Sequence, residues 1–160
     1  MPRVWLGFGG NLGHVGATID AAIDKLAGGG LRLLARSADY ETPPWGKTDQ
    51  PNFVNAVARF DTALDPHAVL ALALRTEAEL GRQRREKWGP RVIDIDILVY
   101  EGIDLDEPNL SLPHPYIRDR AFVLVPLAEI DPDMIIAGEP LAHLIQHLDI
   151  TALNRLPPRR

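Results

Sequence analysis

Val4, Leu6 and Phe8 alternate with their neighbours, a period of two that predicts a strand over residues 3–9 running into the glycine-rich turn GFGGNLG. The period then lengthens. Val15, Ile19, Ala22, Ile23 and Leu26 recur at helical spacing, and Gly28-Gly29-Gly30 closes that pattern. LRLLARSADYET at 31–42 reads as a second strand, PPWGKTDQP at 43–51 as a loop, and NFVNAVARFDT at 52–62 as a third strand. Asp65 as N-cap and Pro66 at the first helical position open a second helix that carries Val69, Leu70, Ala73, Leu74, Glu77 and Leu80, with Gly81 as its C-cap. An arginine-rich loop over 82–91 leads to the strand VIDIDILVY at 92–100 and a turn near Glu101-Gly102. A proline-punctuated tail follows, with helical pieces around 116–130 and 140–148.

The order strand, helix, strand, strand, helix, strand predicts an α+β chain of ferredoxin-like type, β-α-β-β-α-β. This implies an antiparallel sheet with helices on one face and extra C-terminal elements. The opposite face is then free for a ligand, and the loops 43–51 and 82–91 are placed to enclose a site there. No repeat, linker or second composition interrupts residues 1–160, so one domain is expected.

Composition narrows the function classes. At 46% hydrophobic content, 160 residues suffice for a genuine core. The absence of cysteine excludes a disulfide scaffold and thiolate metal sites, leaving carboxylate, imidazole and carbonyl ligands. No run approaches the roughly 18 apolar residues of a membrane span, and MPRVWLGFGG is too short and glycine-rich for a signal peptide. A soluble, cytoplasmic monomer without membrane partners is expected. The net charge of -5 argues against a nucleic-acid partner, which needs a broad basic surface. Charge is uneven, however: Arg82, Arg84, Arg85, Lys87 and Arg91 stand against Glu86 alone, a cluster suited to a small anion.

Asp94 and Asp96 sit two apart in an apolar strand. They therefore share one face while Ile93, Ile95 and Ile97 take the other and face the core. Carboxylates at that spacing suit a hard cation, above all magnesium, which accepts one or two protein carboxylates when a polyphosphate supplies further oxygens. The neighbouring arginines complete a polyphosphate site. Two apparent nucleotide motifs fail. GKT at 46–48 has Glu41 where a Walker loop needs glycine, and GFGGNLG has Leu12 where a dinucleotide fingerprint needs one.

WGPRVIDIDIL at 88–98 resembles the signature of the 6-hydroxymethyl-7,8-dihydropterin pyrophosphokinase family of folate biosynthesis. GFGGNLG, YETPPWGKTDQPNFVNAV, RTEAELGRQR and LSLPHPYIRDRAFVLVPLAEI resemble that family's other segments in its order, so the likeness spans most of residues 7–130. It implies the ferredoxin-like core and transfer of pyrophosphate from ATP to the pterin hydroxymethyl group, with AMP released and two Mg2+ ions assisting. Asp94 and Asp96 match the metal ligands, and Arg82 and Arg91 the catalytic-loop arginines. Arg84, Arg85, His114 and Arg120 match nucleotide-side positions, while Thr42, Pro43, Trp45, Phe53, Asn55, Trp88 and Phe122 match the pterin side. Aromatic faces suit a flat heterocycle, and Asn55 offers it both a donor and an acceptor.

Leu74 stands where some members carry a polar residue, and Trp45 where the position is often aliphatic. No matched residue serves as general base, so water or the phosphate environment is expected to take the hydroxyl proton. The crowded cations of 82–91 are expected to repel one another until Mg-ATP draws that loop closed. Two other classes remain open at this point, a nucleotide-binding regulatory module and a magnesium-dependent nuclease. The aspartate pair speaks against the first and the acidic net charge against the second.

Overall fold

A computed structural model of the chain describes residues 1–44, 49–81 and 91–159. Strand β1 (Arg3–Gly10) leads into α1 (Val15–Gly28), β2 (Leu31–Arg36), β3 (Tyr40–Thr42), β4 (Phe53–Thr62), α2 (Pro66–Glu79) and β5 (Asp94–Tyr100). The tail adds the hairpin β6 (Leu105–Glu107) and β7 (Leu110–Leu112), a 3-10 turn (Ile117–Asp119), α3 (Ala121–Ile130), the small hairpin β8 (Ile135–Ile136) and β9 (Glu139–Pro140), α4 (Leu141–Gln146), and β10 (Asn154–Arg155). The main sheet runs β10-β3-β4-β1-β5, with β2 also paired to β4. All of its pairings are antiparallel.

Local chemistry accounts for the element ends. Asp65 caps α2 by accepting the Ala68 amide hydrogen at 2.8 Å, with Pro66 at the first helical position. Gly81, just past the end of that helix, has φ of +92°, a conformation glycine adopts without the steric cost of a Cβ. The stretch 31–42, expected as one strand, is divided. The register on β4 shifts between Leu33 and Ala35, and Ser37 ties itself to Val57 by donating its amide to the carbonyl and accepting the Val57 amide on its hydroxyl. A polar side chain that competes for backbone partners ends β2 there and lets the chain restart as β3.

One face of the sheet is covered by α1 and α2. Val4, Leu6, Phe8, Ala58 and Phe60 meet Ile19, Leu26, Val69 and Leu72 there, joined by Ile93, Ile95 and Ile97 as their alternation requires. The opposite face is not left free. Trp5, Val57 and Leu98 point to it and are buried under Val123, Leu124 and Leu127 of α3 and Leu141 and Leu144 of α4. The reason lies in the central strands, which carry apolar groups on both faces, and in α3, whose AFVLVPLAEI sequence is apolar almost all round. The result is a helix, sheet, helix sandwich.

Candidate active site

A site forms where β1, β4 and β5 pass one another. Gly9 pairs with Asn55 of β4 on one side and Asp94 of β5 on the other, and Gly7 pairs with Asp96. Residues opposite one another across neighbouring strands project to the same face, so the glycines leave open floor between the carboxylates and the Asn55 amide. A Cβ at Gly9 would lie 2.5 Å from Asn55 Oδ1, and one at Gly10 would lie 2.5 Å from the Val92 carbonyl oxygen. Glycine here is required by close approach. With neighbouring strands about 4.8 Å apart, Asn55 and Asp94 are separated by roughly 10 Å across β1.

Above this floor is a cavity of about 390 Å3. Thr42, Phe53, Asn55 and Phe122 line one part of it, and Arg91, Asp94, Asp96, His114 and Arg120 another. Nine of the residues singled out from the sequence thus converge on one space. Pro43 does not: it is exposed and does not line the cavity, because β3 ends at Thr42 and turns the next side chain outward. Trp45, Arg82, Arg84, Arg85 and Trp88 lie outside the described residues, as does the expected closure of the arginine loop. A second, adjoining recess of about 240 Å3 shares Leu70, Ile95, Asp96, His114 and Pro115 with the first and is bounded by the β6–β7 turn at Pro108 and Asn109.

The carboxylates sit among cations. Arg91 Nη1 donates to Asp94 Oδ2 at 2.6 Å, and Arg120 Nη1 lies 3.8 Å from Asp96 Oδ2. Arg120 is held over the Tyr116 and Phe122 rings, 5.5 and 5.7 Å from their centroids, which fixes a charged group at the boundary between the two parts of the site. The His114 imidazole is held below its ordinary value of 6.5. Burial is the largest cause, and the Arg120 cation adds to it against the opposing pull of Asp96. Its Nδ1 accepts the Tyr116 amide hydrogen at 3.2 Å, so the neutral ring carries its proton on Nε2 as a donor.

Two further residues hold this arrangement. Glu77 Oε2 accepts the Ile95 amide hydrogen at 2.6 Å from within α2, pinning the backbone of β5 between the two aspartates. Glu77 is 4% exposed, and its signal in the sequence is a carboxylate on an otherwise apolar helix face. Asn11, passed over in the glycine-rich turn, is 3% exposed and joins three segments. Its Oδ1 accepts from the Arg91 amide at 2.8 Å, and its Nδ2 donates to Gln50 Oε1 at 2.9 Å and to the Pro51 carbonyl at 3.0 Å. Only the tertiary structure brings those segments together. Leu74, expected on the buried face of α2, is 49% exposed and lines the cavity with Leu70; Val69, Ala73 and Glu77 are buried as expected, and Leu72 and Thr76 join them.

Comparison with known proteins gives the same direction at every level. Residues 5–132 match the family model described as 7,8-dihydro-6-hydroxymethylpterin-pyrophosphokinase (HPPK). A 2-amino-4-hydroxy-6-hydroxymethyldihydropteridine pyrophosphokinase from Methylorubrum extorquens is 51% identical over 157 residues, covering 98% of this chain and 99% of the relative. One of the same description from Pseudomonas aeruginosa is 41% identical over 157 residues, with 97% of each chain covered. Among solved structures, an HPPK-DHPS in complex with substrates superposes with a TM-score of 0.73 at 15% identity, over 97% of this chain. Plasmodium falciparum HPPK-DHPS with SDX-DHP gives 0.66 at 18% identity over 91%. The chain spans less than half of those two solved chains, 46% and 43%, and at such identity they speak for the fold alone. On the family match and the two close relatives together, the chain belongs to the 7,8-dihydro-6-hydroxymethylpterin-pyrophosphokinase family.

Proposed function

We propose that this protein transfers the pyrophosphoryl group of ATP to the hydroxymethyl group of 6-hydroxymethyl-7,8-dihydropterin, forming the pterin diphosphate and AMP, a step of folate biosynthesis. The observation that carries the reading is the row Asn55, Gly9, Asp94, which sets a heterocycle-binding amide and a phosphate-side carboxylate on one floor with nothing but glycine between them. The pterin belongs on the Thr42, Phe53, Asn55 and Phe122 side. Thr42 Oγ1 is buried there without a hydrogen-bond partner among the described residues, as expected of a group that a ligand satisfies. The triphosphate belongs against Arg91, His114 and Arg120, with the adjoining recess beside Leu70 taking the base.

Release of AMP requires that the pterin hydroxyl oxygen attack the β-phosphorus while the bond from that phosphorus to the oxygen bridging it to the α-phosphate breaks. Holding the two reactants in line is worth much of the barrier in such reactions. Among the described residues, Arg91, Arg120 and the His114 Nε2–H line this part of the cavity and can bear the negative charge of the transferred group, alongside the role that the family likeness implies for Arg82. The hydroxyl proton passes to water or to a phosphate oxygen, since Asp94 and Asp96 are given to the metal, Glu77 holds the Ile95 amide and His114 presents Nε2–H.

Asp94 and Asp96 fit Mg2+: both are hard oxygen donors on one face, both line the cavity, and the glycines beside them leave room. Among the described residues no group of three or more possible metal ligands forms, which suits an ion whose remaining ligands are water and phosphate oxygens. Bound there, two such ions would neutralise phosphate charge and polarise the reacting phosphorus.

The strand order supports a ferredoxin-like reading of the core, and a monomer is taken as the working unit. Cytoplasmic location belongs to the same reading, as a reduced pterin calls for a reducing compartment. Among the described residues no helix is long and apolar enough to cross a membrane. The experiment that tests the function is AMP formation from ATP with and without the dihydropterin and a divalent cation. Full formation is expected only with both, and AMP release indifferent to the pterin would refute the reading.

A further inference from the structure

The C-terminal residues, to which no chemistry attaches in the sequence, are built onto the pterin side of the molecule from behind. Strand β3 has three residues. On its inner side Tyr40 pairs with Asn55 and Thr42 with Phe53, both partners lining residues or their neighbours in the site. Along its outer side runs β10, with Asn154 opposite Glu41 and Arg155 opposite Tyr40, and the Leu156 amide donates to the Asp39 carbonyl at 2.9 Å.

Side chains add two further fastenings. Arg155 Nε lies 3.4 Å from Glu129 Oε1, and that carboxylate also accepts the Tyr40 hydroxyl at 2.6 Å and the Ala38 amide at 2.8 Å. Arg159 pairs with Asp39, next to the start of β3, and with Asp20 of α1. Arg36 shares the same two carboxylates, each at 3.0 Å. Gly16 of α1 lies directly under the Arg159 guanidinium, and a Cβ there would overlap its Nη1 and come within 2.6 Å of Asp39 Oδ2. None of residues 154–159 lines the cavity.

We propose that segment 154–159 is a strap that positions β3, and through it Thr42, for the pterin, with Arg159 as its anchoring residue. The inference rests on the pterin-side reading given above. A three-residue strand fastened on one side only is weakly held, and removing the outer strand or its anchor lets Thr42 sample positions away from the cavity. The nucleotide side is reached differently: the His114 amide donates to the Leu98 carbonyl of β5 at 2.8 Å and Arg120 Nη1 lies 3.8 Å from Asp96 Oδ2 of β5, a strand separated from β3 by β4 and β1. The strap therefore acts on one substrate and spares the other.

The test uses the full chain carrying Arg159→Ala, Arg159→Lys or Gly16→Ala, with calorimetric titration of the dihydropterin and, separately, of a nonhydrolysable ATP analogue, alongside steady-state kinetics. Arg159→Ala is expected to raise the pterin Kd and KM about threefold to tenfold, the range a modest positioning loss gives, while kcat and the nucleotide Kd stay within about twofold. Arg159→Lys restores most of the affinity, and Gly16→Ala reproduces the loss by displacing the guanidinium. An unchanged pterin Kd in both Arg159→Ala and Gly16→Ala overturns the proposal, as does an equal weakening of both ligands together with a lower Tm. Asn55→Ala, titrated in parallel, separates the two ideas. If it too leaves pterin affinity unchanged, the pterin side itself is misassigned, whereas a loss there with none in Arg159→Ala removes the strap alone.

Discussion

Glu77 and Ile95 are joined by a buried hydrogen bond of 2.6 Å, in which the backbone amide of the residue between Asp94 and Asp96 donates to a helix carboxylate. The bond fixes the strand at the position where two carboxylates must be held in register. Glu77→Ala leaves that amide buried without its acceptor, and a loss of about 1 to 3 kcal/mol in unfolding free energy is expected. Activity should fall further than stability alone accounts for. Glu77→Gln, which keeps an acceptor oxygen, should recover most of both, and thermal melts paired with kcat for the two variants decide the matter.

Asp94 and Asp96 act as one unit in this account. Asp96→Ala and Asp94→Ala should each leave the fold intact and remove nearly all pyrophosphoryl transfer, and the double variant should lose less than the sum of the two in free energy. A mutant cycle in kcat/KM measures this. Near-normal turnover in either single variant would defeat the metal assignment, and fully additive losses would mean separate roles.

The two halves of the cavity are expected to separate by ligand. Phe122→Ala and Asn55→Ala should weaken the dihydropterin by about 1 to 3 kcal/mol, or roughly tenfold to a hundredfold, with little change in the affinity for an ATP analogue. Phe122 also packs against Arg120, so a small nucleotide effect is tolerable in that variant but not in Asn55→Ala. Titration with each ligand in turn supplies the comparison.

Tyr40 gives a pH signature remote from the reacting groups. Burial first, and then its hydrogen bond to the Glu129 carboxylate, push the phenol up from 10.0 to about 12. A group whose folded value is raised stabilises the fold fully below its unfolded value and loses that contribution as pH climbs through the folded one, so stability should decline between about pH 10 and 12. Glu129→Gln removes the carboxylate and leaves the burial, so Tyr40 should then titrate at an intermediate pH. Phenolate absorbance during alkaline titration follows this directly, and an unshifted curve would contradict the role given to Glu129.

How far the sequence spoke depended on the range of the interaction. The Asp65 cap, the alternation of Ile93, Ile95 and Ile97 against Asp94 and Asp96, and the helix ending at Gly28 are local, and each is present in the structure. The split of 31–42 turned on Ser37 finding Val57, twenty residues away, which no local period reports. The cover over Trp5, Val57 and Leu98 is not visible in the alternation of Val4, Leu6 and Phe8, which reports one face of β1 only, while Trp5 points to the other. Family likeness pointed to nine residues that line one cavity, whereas Asn11 and the segment 154–159 bond to partners distant in the chain, at Gln50, Arg91 and Asp39. Hairpins with strands of two or three residues carry too few side chains for a period to emerge.

Pyrophosphoryl transfer is distinguished from other ATP chemistry by which phosphorus is attacked. With ATP labelled at both the β- and γ-phosphorus, incubation with the dihydropterin should yield AMP as the nucleotide product and a pterin product carrying both labels in equal amount. Appearance of ADP with the γ label alone on the pterin, or of both labels as free pyrophosphate with an unmodified pterin, would contradict it.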